Sequence, residues 1–501
     1  HGDLTDWWAN GAGSTPYAVK HYKEAQRRYA LCHRLDEKLE ENYPALCRTA
    51  EDNLLLYAEH TWGHSSTITC PYDTMVLNLD MRKNSYASKA HESASMILNL
   101  IAEEKGDIMR YYNTNGKLRV CAPNQVSGLQ TVEFYIESPY LARARITRED
   151  GQELPCQVSP HPRGRRITFL DSFAPGEEKN YTFEELPPLP ETLNSRHAYV
   201  GAERIRDIVN DYDPMTYRLP YEFENRWFHL TYRPQEGVTG FVNKATGKDM
   251  LAAGAAPFFT PLYECTPIRI QLPEFPCNEE QERRVIGRNI RGKHAKLYTA
   301  QLEEIVCKER GDVFTILELK YTLTGTIHCS VFLKLFEAVP RIDFRMELGK
   351  TISTDIESVF LPLSLSLEEN QSLYLKKGAE AFRPGVDQLP GTCMEYYMSD
   401  DGLAFVGEAG SVLVASRDVP LVYMGEMRHH PILLCDNKEE NNQRPVYSWV
   451  MNNTWETNFK MDLSGFCEYQ YSLWLSDETN PEKAMAELTE RTFDPYPMIT
   501  G

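Results

Sequence analysis

The hydrophobic periodicity of this chain changes once, at Gly106, and that change limits the fold more than any other feature. Up to Lys105 apolar residues recur every three or four positions. Beyond Gly106 they fall into short alternating runs separated by Asn-Gly, Asp-Gly and Pro-Gly. Helices gathered ahead of strands build α+β domains in series rather than alternating βαβ units. A chain of 501 residues has room for two to four such domains. The expected class is therefore multidomain α+β: a three-helix bundle, a small β-sandwich and a large antiparallel β-sandwich.

Thr15 followed by Pro16 reads as an N-cap with proline at the first helical position, where its missing N–H costs nothing. Val19, Tyr22, Ala25, Tyr29, Cys32, Leu35 and Leu39 then predict an amphipathic helix to about Asn42, broken by Tyr43-Pro44. A second helix is expected from about Ala45 to Glu59, with Gly63 stopping it. A third, from about Tyr72 to Glu104, carries Met75, Leu79, Tyr86, Ala90, Ala94, Ile97 and Ile101. Short connections make these an antiparallel bundle over residues 15–107.

The segments LRVCAP, TVEFYIES, ARARITRED and RRITFLDSF predict the small sandwich, residues 108–192, with the proline-rich ELPPLPETL as a linker. From residue 193 to 501 strands dominate, among them RWFHLTY, DVFTILELKYTL, HCSVFLKLF and YQYSLWLS, and imply one large antiparallel sandwich. Asn480-Pro481 starts a short last helix, and the tail after it is proline-rich.

A net charge of -19 argues against a nucleic-acid partner, because phosphate contacts need clustered Lys and Arg. No apolar run approaches the roughly 18 residues of a membrane span, so the chain reads as soluble, with no membrane partner. The twelve cysteines stand singly without a C-x-x-C pair, the pattern of reduced thiols in a cytoplasmic protein. Self-association into a homo-oligomer is compatible with this composition. Three N-x-[ST] sequons, at Asn180, Asn370 and Asn452, are of a length that arises by chance.

Two clusters carry the candidate chemistry: HGDLTDWWANGAGSTP at the start, and AEHTWGHSST around Glu59 and His60. His60 is either a histidine capping the negative end of a helix dipole or a metal ligand. Trp7 and Trp8 are either seam aromatics or a stacking platform for sugar rings, and Asp3 and Asp6 either cap loops or bond sugar hydroxyls. His429-His430 is a weak metal pair, since adjacent strand residues point apart. Asn452, Asn453, Trp455, Thr457 and Asn458 form the densest polar-aromatic cluster of the large sandwich and would reach substrate through Trp455. A glycosidase needs two carboxyl groups flanking the scissile bond. Asp3, Asp6 and Glu59 do not supply that pair, and no H-E-x-x-H motif occurs.

GDLTDWWANGAGSTP, AEHTWG, YEFENRWFHLTYRPQEGVTGFVNKATGKDML and SWVMNNTWETNF together resemble glycoside hydrolase family 38, the α-mannosidases. The resemblance implies the middle and C-terminal domains of such an enzyme, the last being a galactose-mutarotase-like supersandwich. Residues 1–14 would be the end of a missing N-terminal α/β barrel. It implies a retaining hydrolase whose zinc is held partly by the barrel and partly by a histidine matching His60. Trp8 matches a tryptophan of the sugar subsite, and Thr61 stands where the family has an aspartate on sugar hydroxyls. The substrate-contact set is then Asp6, Trp8, Thr61 and Trp455, on an α-mannoside or related glycan. The chain itself holds no catalytic residue, so by itself it is expected to be inactive. Two alternatives are a non-catalytic carbohydrate-binding or scaffold module, and a mutarotase-like or lyase enzyme using the large sandwich alone. The last would need a His, Glu and Tyr constellation within residues 200–480.

Overall fold

The computed structural model of the chain describes residues 6–187, 204–205, 216–218, 221–266, 295–366, 371–378, 380–427, 433–454 and 457–501. Helix α1 spans Pro16–Leu35, α2 Leu39–Asn42, α3 Pro44–Ala58 and α4 Thr74–Glu104. The first helix ends at Leu35 rather than near Asn42. Asp36 is extended, and its carboxylate accepts from Lys38 N and Asn42 Nδ2, both at 2.9 Å, so a turn stabilised by its own side chain interrupts the helical run. Thr15 does not cap α1 with its side chain. Its hydroxyl lies 2.9 Å from the Tyr57 hydroxyl, leaving Pro16 to start the helix. The long helices pack closely because Ala87, Ala90 and Ala94 on α4 are fully buried, and the far end is filled by Cys32, Leu39, Ile97 and Ile101.

The small sandwich pairs a five-stranded sheet, 116–121, 143–148, 153–154, 178–186 and 496–499, with a three-stranded one, 128–136, 156–161 and 164–173. Leu118, Val132, Phe134, Ile146, Phe169 and Phe183 fill the space between them. The end of the chain departs from an uninterrupted unit over 193–501. Tyr496–Ile499, read from sequence as a proline-rich tail, is a strand that pairs antiparallel with Gly116–Cys121, with Leu118 opposite Ile499. It closes an otherwise open edge and buries Met498 and Ile499.

The large sandwich sets an eleven-stranded sheet against a six-stranded one, with a four-stranded antiparallel sheet, 222–249, beside them. The six strands run in the order 296–299, 262–266, 356–362, 446–452, 421–424, 396–398. Every residue of Ile356–Pro362 and Val446–Asn452 is buried, because both faces of this sheet are covered. The inner face, with Val359, Leu361 and Val450, meets Leu333, Phe344 and Leu348 of the larger sheet. The outer face, with Phe360, Tyr423 and Trp449, meets Val19, Tyr57, Trp62 and Ala87 of the bundle. Helix α5, Pro481–Glu490, places Ala484, Met485 and Leu488 on the outer face of the eleven-stranded sheet.

Trp449 stacks on Phe360 at 5.8 Å and touches Tyr396 and Tyr423. Trp449→Ala is expected to cost about 3–5 kcal/mol of unfolding free energy, read as a fall in the urea midpoint. A change below about 1 kcal/mol would show that the bundle does not depend on this face.

Candidate active-site edge

Three segments that are far apart in sequence meet at one edge of the molecule. A 3-10 helix, Asp6–Ser14, runs into α1, the turn 59–64 follows α3, and residues 452–454 and 457–461 lie at the end of strand Val446–Asn452 and beyond it. Asn452 Nδ2 donates to Asn10 O at 3.0 Å, and Asn10 Nδ2 to Thr454 Oγ1 at 3.2 Å. Lys460 N donates to Ser14 Oγ at 3.2 Å, and Trp62 N to Asn458 O at 2.9 Å. Gly63 is needed here for close approach rather than to end a helix, since α3 already stops at Ala58. A Cβ at Gly63 would stand 2.6 Å from the backbone of Phe459.

Behind the turn the chemistry is organised by Lys83, which the sequence reading did not single out. Its buried ammonium donates to Leu56 O at 3.1 Å and Glu59 O at 2.6 Å, so it satisfies the carbonyl end of α3, the capping role for which His60 was the sequence candidate. It also lies 3.4 Å from Glu59 Oε2, and 5.1 Å and 5.6 Å from the ring centroids of Trp62 and Tyr57. Burial pulls the Lys83 pKa down, and Glu59 pulls against it.

Glu59 in turn sets the turn itself. Its carboxylate accepts from Thr61 Oγ1 at 2.7 Å and Thr61 N at 3.0 Å, and lies 2.9 Å from His60 Nδ1. Burial raises the Glu59 pKa, but the Thr61 hydrogen bonds, Lys83 and His60 outweigh it and hold the carboxylate ionised. The result is an imidazole whose side chain is 61% exposed, oriented by an anionic carboxylate. That is the arrangement by which carboxylates fix the ring of metal-binding histidines. Thr61 Oγ1 is engaged with Glu59 at this edge.

The described residues contain no group of three or more His, Cys, Asp or Glu placed to hold a metal ion. A lone imidazole such as His60 could offer at most one of the four ligands that zinc takes. Asp6 and Trp8 fall in the 3-10 helix with side chains outside the described residues. Asp3, Trp455, His429-His430 and Asn370 also lie outside them. The sequon asparagine Asn452 is fully buried and bonded to the N-terminal segment, so its amide is committed to structure.

Two further carboxyls merit notice. Asp80 on α4 is 7% exposed, and its Oδ1 has no hydrogen-bond partner among the described residues. Burial pushes its pKa up to about 6, with Lys460 and His64 opposing. Glu357 lies 2.6 Å from Lys350, both side chains fully buried, and accepts from the Tyr263 hydroxyl. Tyr263, Glu357 and Lys350 form a polar constellation within the large sandwich, but it is sealed from solvent and cannot meet a sugar.

No family model and no curated protein matches this sequence. Solved structures do match its fold. An alpha-mannosidase from Enterococcus faecalis V583 aligns over 99% of this chain and 59% of its own length, with a TM-score of 0.61 and 12% identity. A glycosyl hydrolase family 38 protein from Enterococcus faecalis aligns over 99% of this chain and 60% of its own, with a TM-score of 0.59 and 11% identity. The chain thus has the fold of roughly three-fifths of each of these proteins and spans less than two-thirds of their length.

Two substitutions test this edge. Lys83→Met leaves the end of α3 unsatisfied and is expected to lower stability by about 1–3 kcal/mol in urea titration; an unchanged midpoint would remove Lys83 from its organising role. The Asp80 value of about 6 lies above the unfolded value near 3.9, so Asp80 binds a proton on folding. Its favourable contribution is complete below about pH 4 and lost as pH rises through about 6. Asp80→Asn should therefore stabilise the protein by ~1–2 kcal/mol at pH 8 and scarcely at pH 4.5. Equal effects at the two pH values would contradict the assignment.

Proposed function

We propose that this chain is the non-barrel portion of a zinc-dependent retaining glycoside hydrolase of family 38, acting on α-mannosides or related glycans. The observation that carries this reading is the convergence of residues 6–14, 59–64, 452–454 and 457–461 at one edge, on a fold shared along 99% of the chain with an alpha-mannosidase. In this reading His60, steered by Glu59, contributes one ligand to a zinc ion whose other ligands come from outside these residues. Zinc, when bound, supplies a Lewis acid that orients sugar hydroxyls.

The residues of this chain position and enclose. Lys83 and Glu59 hold the His60 ring, while Asp6, Trp8, Thr61 and Trp455 line the sugar side. Thr61 belongs to the turn 59–64, where Glu59 holds its hydroxyl. A nucleophile and a general acid, the two carboxyls such a hydrolase requires, are not assigned to any residue here. The buried Tyr263, Glu357 and Lys350 group gives no support to a mutarotase-like reaction in the large sandwich.

The purified chain is expected to release no nitrophenol from p-nitrophenyl α-mannoside above the buffer rate. Competition with a chromophoric chelator should show no tight zinc, and His60→Ala should abolish the weak binding that remains. Hydrolysis by the chain that survives repurification, or tight zinc indifferent to His60→Ala, would overturn the reading.

A further inference from the structure

The end of the bundle that carries the turn 59–64 is apolar on its outside. Leu55 and Leu56 stand about one turn before the end of α3, and Tyr72, Met75, Leu77 and Met81 surround the start of α4. All six are exposed, Leu55 at 72% and Met81 at 73%. They share one end because α3 and α4 run antiparallel. The Lys83 ammonium, two residues past Met81, reaches Leu56 O at 3.1 Å, while Tyr43 before α3 donates to Glu104 of α4 at 2.8 Å. His60 lies in the turn at that same end, with its side chain 61% exposed.

Single exposed apolar residues are normal on a protein surface. Between residues 15 and 105 the other large apolar side chains left exposed are only Tyr17, Met96 and Leu100. The first turns of α4 differ in kind. From Met75 to Met81 they read MVLNLDM, and Val76 belongs to the stripe buried with Ala87, Ala90 and Ala94. Met75 and Leu77 stand about 100° to either side of Val76. A helix that is apolar all round is ordinarily buried all round, yet the described residues cover one side of this one.

What covers the rest follows from what the His60 site lacks. A lone imidazole offers at most one of the four ligands that zinc takes. The groups that complete such a site sit on a body pressed against the surface around His60, and that surface is the apolar end of the bundle. The alpha-mannosidase and the family 38 protein that share this fold each have about two-fifths of their length outside the matched part. For a chain of this size that is on the order of 300 residues, enough for a large domain.

We propose that Leu55, Leu56, Tyr72, Met75, Leu77 and Met81 form the docking face for the part of the hydrolase that lies outside this chain. This docking rests on the chain being the non-barrel portion of such an enzyme, and it fixes which surface joins the two parts. Burial of apolar side chains supplies the attraction, so the joint is insensitive to salt. It also shuts water out around the Glu59 and His60 pair, whose mutual attraction strengthens as solvent leaves.

The test is peroxide oxidation read by peptide mass spectrometry, on the purified chain and on the complete product of its gene. Met75, Met81 and Met96 should all oxidise readily in the chain alone, because all three are exposed. In the complete product Met75 and Met81 should slow by about 10-fold or more, at low salt and in about 1 M salt alike. Met96, roughly 22 Å further along α4 than Met81, should keep its rate. Leu55→Asp combined with Met81→Asp should leave the urea midpoint of the chain unchanged and restore oxidation of Met75 in the complete product. A gene product no longer than this chain would overturn the proposal. So would Met75 and Met81 oxidising as fast as Met96 in a longer product, or protection that is lost in salt. An assay on p-nitrophenyl α-mannoside separates docking from catalysis. Hydrolysis by a complete product with both methionines unprotected removes the docking face and keeps the hydrolase; protection without hydrolysis does the reverse.

Discussion

The six-stranded sheet is buried on both of its faces, and the helical bundle has to lie against the outer one for that to hold. Phe360, Tyr423 and Trp449 on that face would otherwise be an exposed aromatic patch, and Tyr57, Trp62 and Val19 would be another. Bringing the two together removes both from water. The consequence for the site is geometric. Trp62 sits inside the shared core, so the turn that carries Glu59, His60 and Thr61 is fixed to the sheet by the same contact that stabilises the fold. The exposed imidazole is thus held by a buried neighbour two residues away.

The segment around Asn452 and Asn453 depends on that docking and in turn locks it. Asn453 accepts from Glu357 N at 2.6 Å and donates to Asp355 O at 2.8 Å and Met461 O at 2.7 Å, so every polar edge of its side chain is committed. Glu357 is the carboxylate paired with Lys350, which belongs to the larger sheet, so the two sheets are joined by a charge pair directly beneath the loop. Burial pushes Glu357 up, while Lys350 and the Tyr263 hydroxyl pull it down. A fully buried pair of this kind contributes little net stability, but breaking it leaves a charge with no partner. Its position suits it to fixing the register between sheets rather than to chemistry.

Electrostatics at the candidate edge follow from the same packing. Lys83 is buried because α4 crosses the end of α3, and there its ammonium meets the carbonyls that a helix terminus leaves open. Glu59 stays ionised beside it, and an ionised Glu59 keeps His60 Nδ1 and Thr61 engaged. Asp80, about one turn before Lys83 on the same helix, lacks such a partner and is driven the other way. The two acids differ because Glu59 is held by hydrogen bonds and a buried cation, whereas for Asp80 burial outweighs the pull of Lys460 and His64.

The helical bundle, the change to β-structure at Gly106 and the large antiparallel sandwich were legible from periodicity alone, since burial of one helix stripe or one strand face writes itself into the spacing of apolar residues. His60 with Glu59, and the cluster around Asn452, were legible as unusual groupings of polar and aromatic types. The role of Lys83 was not, because a lysine in the middle of a helix reads as a solvated charge until the end of another helix is laid across it. Nor was the last strand, where Pro497 within it and Pro495 just before it hid a pairing made with residues nearly four hundred positions away. Local residue order determined which elements form. Only the tertiary structure decided which distant elements meet, because pairing across a sheet edge and satisfaction of a buried helix end depend on contacts that no local window of sequence contains.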